Sequence, residues 1–191
     1  VSDAGRLATL ARLDGEHAET LYRKAMASGP EARKGAAMVF GANLKDPWRS
    51  FCLPPLIEAF DDPDSDVRHE AANSVSKELL TAEGSKEIVL PFLGTAAFKE
   101  HGGNVVWGLS EIEGALPEYS LEVIEAVVET LDSPDCDTDR DMYFRAPELA
   151  MRCYYQVKAD PTARDRVLAC IDAFARKQVY GIEEQLADFE R

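Results

Sequence analysis

Residues Leu53 to Leu80 read LPPLIEAFDDPDSDVRHEAANSVSKELL, and the spacing of their apolar side chains decides the fold. Leu53, Leu56, Ile57 and Phe60 recur at the period of a helix that buries one face. Val67, Ala71, Val75 and Leu79 make a second stripe of the same kind. Between the two, Asp61, Asp62, Pro63 and Asp64 stop one helix and restart another. A carboxylate ahead of a helix accepts the free amide hydrogens of the first turn and suits its positive end. The stretch therefore predicts a helical hairpin.

The hairpin is repeated along the chain. At a shift of 35 upstream, Ala32, Arg33, Ala36, Ala37, Phe40 and Leu44 coincide with Val67, Arg68, Ala71, Ala72, Val75 and Leu79, and Leu21 and Ala25 with Leu56 and Phe60. At a shift of 37 downstream, Leu93 falls on Leu56, and Gly108, Leu109, Ile112 and Leu116 fall on Ala71, Ala72, Val75 and Leu79. A fourth copy opens with LDSPD at Leu131 to Asp135 and continues, after an insertion, with Ala146, Ala150, Tyr154 and Val157. A last helix starts at Asp160-Pro161 with the stripe Val167, Ile171 and Phe174, and Gly181 separates it from a short terminal helix, Ile182 to Phe189. A fixed period of this length marks stacked supersecondary repeats. The expected fold is all-α, an α-α superhelix of four hairpins and a partial fifth, forming a single domain over residues 1–191 because no linker rich in Pro, Gly or Ser divides it.

The repeat resembles the HEAT-repeat family. Leu53 to Leu80 carries a first helix with prolines, a D-P-D turn, then Val67-Arg68 at the opening of a second helix with small residues one turn on. In that family a turn aspartate and the arginine six residues later build a polar ladder between repeats, positions held here by Asp62 and Arg68. Arg33 matches the arginine in the preceding copy, whose aspartate position is Ala27, and the third copy has Val105 in place of the arginine. The resemblance is best over about 45 to 158. It implies a HEAT-like solenoid whose second helices line a concave face, and it is nearly silent about activity.

Composition narrows the partners. An apolar content of 46% is enough for a packed core. Twenty-one basic against thirty-five acidic side chains leave a formal charge of −14, which repels nucleic-acid phosphates and anionic lipid. The longest apolar runs, such as Ile88 to Leu93, fall short of the roughly 18 to 20 residues of a membrane span. Val1 to Leu10 has one arginine and no apolar run of signal-peptide length. Cys52, Cys136, Cys153 and Cys170 form no CxxC pair and no cysteine-histidine cluster. A cytoplasmic protein without cofactor, nucleic acid or membrane is the expectation.

Catalytic constellations fail on inspection. Asp135, Asp137, Asp139 and Asp141 alternate as calcium ligands do, but Arg140 stands where the turn glycine belongs and Ala146 where the bidentate glutamate belongs. His101, Gly102, Gly103 and Asn104 precede a helix and suit a turn better than an anion site. His17, His69 and His101 are too far apart in sequence to suggest one site. The expected role is therefore non-enzymatic: an interaction scaffold or adaptor that binds another protein on its second-helix face. The candidate surface is Lys34, His69, Asn73, Lys77, Trp107 and Glu111. Trp107 falls off the stripe of Val105, Leu109, Ile112 and Leu116, so exposure and core packing both stay open for it, while Trp48 suits a structural plug between hairpins. Two other roles compete: an acidic inhibitor or immunity-type protein neutralising a basic partner, and a HEAT-like chromophore lyase or lyase subunit.

Overall fold

The computed structural model describes residues 20, 23–44, 49–75, 77–133 and 141–189, and all regular structure among them is helical. The helices gather into two compact bodies. One takes in the described residues of Val1–Val75 with Gly94–Glu100, the other those of Ser76–Leu93 and His101–Arg191. Leu21, Trp48, His17, Cys136 and the acidic residues Asp135, Asp137 and Asp139 lie outside the described residues.

In the first body, α1 (Pro30–Ala42) packs on α2 (Arg49–Ala59) and α3 (Ser65–Ala72). Pro30 opens α1 where a missing amide hydrogen costs nothing. Ala36, Ala37, Val39 and Phe40 of α1 are buried, as are Cys52, Leu56 and Ala59 of α2. A Cβ at Gly41 would stand 2.6 Å from the Ser74 Cβ, so glycine sets how closely the end of α1 approaches the chain after α3. Asp64 caps α3 as expected, its Oδ1 accepting from the amides of Asp66 at 3.0 Å and Val67 at 3.3 Å.

The polar ladder differs in detail from the motif. Arg33 on α1 grips the Asp62 carboxylate with two bonds, Nε to Oδ2 at 2.8 Å and Nη2 to Oδ1 at 3.0 Å. Arg68 donates instead to the Asp62 backbone carbonyl at 2.6 Å and turns the rest of its guanidinium to Glu100 at the end of this body. Arg33, Asp62, Arg68 and Glu100 thus form one continuous chain of charge-assisted bonds.

Two predicted second helices are shorter than their stripes. The stripe Val67, Ala71, Val75, Leu79 is broken, because α3 ends at Ala72 and α4 (Lys77–Leu80) begins anew. The Ser74 hydroxyl donates to the Ala71 carbonyl at 2.5 Å, a local bond that competes with the helix ladder. Val67, Ala71, Val75 and Leu79 are all buried nonetheless. After α5 (Lys86–Phe92) and α6 (Ala96–His101), α7 (Gly103–Ser110) likewise stops before Ile112 and Leu116.

The second body is built on α8 (Ser120–Thr130), α9 (Asp141–Phe144), α10 (Ala146–Val157), α11 (Pro161–Arg176) and α12 (Ile182–Phe189). Helices α8, α10 and α11 pack on one another, and α7 packs on α4, α9 and α10. Arg152 of α10 donates to the Ser110 carbonyl at 2.8 Å and the Ile112 carbonyl at 2.6 Å, satisfying acceptors that the end of α7 leaves free. Gly102 is right-handed, with φ of −59°, so no left-handed turn requires glycine there. At Gly103 the requirement is space: a Cβ would lie 3.2 Å from the Met142 amide nitrogen of α9. Asp160 caps α11 through the amides of Thr162 and Ala163, with Pro161 in the first turn as predicted. Among the described residues no helix is long and apolar enough to cross a membrane.

Candidate functional site: an exposed aromatic ladder

Trp107 resolves toward exposure. It lies on α7 with 45% of its surface accessible, although its neighbours Val105, Val106, Gly108 and Leu109 are buried. Its ring stacks on Phe144 at the end of α9, centroids 6.2 Å apart and planes 22° apart. Phe144 in turn stacks on Tyr180, in the turn between α11 and α12, at 5.1 Å and 14°. Phe144 and Tyr180 are 47% and 58% accessible, so three large rings from three separate segments form an outward-facing row. A monomer rarely leaves contiguous apolar surface of this kind exposed without a use for it.

Arg145 completes the row. Its guanidinium carbon lies 4.8 Å from the Trp107 ring centroid and 5.8 Å from that of Phe144, within the range of a cation–π contact. Nη1 donates to Glu148 Oε2 at 2.7 Å, while the buried Nε finds no acceptor among the described residues. The planar cation is therefore held between one carboxylate and two π faces. At the other end, Gln178, Val179, Tyr180, Gly181, Ile182, Glu183 and Glu184 line an open cavity of about 230 Å³.

The local backbone explains the position of Tyr180. Helix α11 ends in a reversal in which Val179 donates to the Phe174 carbonyl at 3.0 Å and Gln178 is left-handed at φ 53°. Val179 and Ile182 turn into the core, which leaves Tyr180 between them pointing out.

Of the predicted surface, only Trp107 joins this cluster. Lys34 on α1 is tied to Asp66 of α3, Nζ to Oδ2 at 3.0 Å. His69 and Asn73 are exposed on α3 and at its end, in the first body. Lys77 opens α4, its side chain outside the described residues, and Glu111 is exposed just past α7, its amide donating to the Trp107 carbonyl. Phe144 and Tyr180 belong to none of the apolar stripes, Phe144 lying in the insertion of the fourth copy and Tyr180 just before Gly181. Trp107, Phe144 and Tyr180 stand 37 and 36 residues apart, but the insertion ahead of Ala146 takes this spacing out of register with the repeat, so no sequence pattern links the three.

The thiols offer a contrast. Cys52, Cys153 and Cys170 are free and buried. Burial pushes Cys52 up to about 11, Cys153 to about 11 with Glu122 adding to it, and Cys170 to about 12 with Glu125 adding. Each therefore stays protonated near neutral pH, short of the thiolate that nucleophilic or metal chemistry needs. Among the described residues no three His, Cys, Asp or Glu side chains gather as a metal site. No protein-family model matches the chain, and comparison with curated proteins and with solved structures finds no match.

Proposed function

We propose that the chain is a protein-binding module of HEAT-like stacked hairpins that meets its partner through Trp107, Phe144 and Tyr180. The observation that carries this reading is the exposed, mutually stacked row of three rings with Arg145 against it. Trp, Tyr and Arg are the residues that most often dominate binding energy at interfaces, because they bury large area at low entropic cost. The rings are already ordered by one another, so little freedom remains to be lost on association.

A site-specific photo-cross-linker tests the proposal in the native cytoplasm. Benzoylphenylalanine at position 144 should yield a discrete protein adduct that disappears when Trp107→Ala is added. The same probe at Met38, a comparably exposed apolar side chain of α1 at 49%, should yield none. Adducts of equal yield at both positions, or none at 144, would defeat the reading. The formal charge of −14 supports a second version, an inhibitor that neutralises a basic partner. In that version the association rate falls at least about tenfold between low and physiological salt, whereas a salt-independent rate removes it.

A further inference from the structure

Of the three stacked rings, Tyr180 is the most exposed and ends the row. The cavity that it lines is also lined by Glu183 and Glu184, in the first turn of α12. Both carboxylates are exposed, and neither is within ion-pair distance of a cation among the described residues. The basic side chains that precede this turn are engaged elsewhere, Arg176 with Asp172 and Lys177 with Asp132. An aromatic ring that shares a cavity with two carboxylates unpaired with any cation among the described residues is a site of defined chemistry, because the ring's quadrupole and both negative charges favour the same ligand, a cation.

The other end of the row shows which cation fits. There the chain supplies its own guanidinium, Arg145, flat enough to lie against Trp107 and Phe144 while Glu148 holds one edge. Tyr180, Glu183 and Glu184 likewise bring a ring and carboxylates to one cavity, with no arginine among the described residues that line it. We propose that the Tyr180 end of the row, with Glu183 and Glu184, binds an arginine side chain of a basic segment in the partner protein. The net charge of −14 makes the whole chain complementary to such a segment and draws it in from a distance. Arginine suits the site better than lysine because its planar fork can stack on the ring and bond a carboxylate at once. The inference rests on the protein-binding reading above and adds the partner's chemistry and the point of contact.

A labelled hexa-arginine peptide and its hexalysine and hexacitrulline counterparts serve as probes, their affinity for the full chain read by fluorescence anisotropy. Arginine should bind about threefold to fivefold more tightly than lysine, and citrulline at least about tenfold more weakly than arginine. Tyr180→Leu, which keeps apolar bulk but removes the π face, should cost about threefold to fivefold in arginine affinity and abolish the preference over lysine. Tyr180→Phe should stay within about twofold of the parent. The exposed double variant Glu183→Gln/Glu184→Gln should lose about fivefold independently of the ring. Far-UV circular dichroism matches the variants for folding, and the glutamine pair decides the matter should Tyr180→Leu fail to fold. Arginine affinity unchanged in Tyr180→Leu, or unchanged in the glutamine pair, overturns the proposal, since binding would then follow net charge alone. If the cross-link at position 144 persists while the arginine preference is absent, the arginine site falls and the protein-binding reading stands.

Discussion

Single residues set the details on which the aromatic row depends. Gln178 holds a left-handed φ of 53°, a conformation that costs an L-residue with a Cβ roughly 1–2 kcal/mol and glycine almost nothing. Gln178→Gly should therefore stabilise the chain by about 0.5–1 kcal/mol, part of the gain being offset by the greater freedom of glycine when unfolded. Urea denaturation would show a higher midpoint at unchanged slope, and a lower midpoint would refute the account of the turn. The glycines at 103 and 41 answer a different need, since at both a Cβ would crowd a neighbouring segment. A substitution at either tests packing rather than backbone conformation.

At the scale of elements, the bond chain from Arg33 through Asp62 and Arg68 to Glu100 ties α1, the α2–α3 turn and the end of the first body together. Burial alone would raise the Asp62 pKa, but the Arg33 hydrogen bond, the Asp64 amide and the nearby arginine charges outweigh it and hold the carboxyl below its usual range. A carboxyl whose folded pKa lies below its unfolded value stabilises the fold above the unfolded value and stops doing so as pH falls through the folded one. Asp62→Asn should thus cost about 2 kcal/mol at pH 7. The difference between variant and parent should begin to shrink below about pH 4, where Asp62 of the unfolded chain takes up its proton, and close as the pH falls through the lower folded value. Chemical denaturation at pH 7, 5 and 3 measures this, and a gap that persists undiminished at pH 3 would contradict the ion pair. The exposed pair Lys86 with Glu118 is expected to contribute far less.

For the molecule as a whole, thirty-five acidic against twenty-one basic side chains produce self-repulsion that salt screens. The thermal midpoint should rise by about 2–5 °C between 20 and 300 mM sodium chloride, because the exposed ion pairs lost to screening are individually weak. A falling midpoint would mean that local pairs dominate over net charge. What the sequence determined by itself was the helical character and its punctuation. The stripe ending in Phe60, the Asp64 and Asp160 caps, Pro161 and the break at Gly181 all rest on interactions within a few residues of chain, which is why they could be read from spacing alone. The lengths of the second helices were not legible, since the local Ser74 bond ends α3 where the apolar stripe itself runs on, and the carbonyls after α7 find their donor on Arg152 some forty residues away. Nor was the candidate site. Trp107 could be marked as off its stripe, but whether such a ring is covered depends on what packs beside it. Only the tertiary structure brought Phe144, Tyr180 and Arg145 to it, because stacking joins residues 37 and 36 positions apart that no local pattern connects.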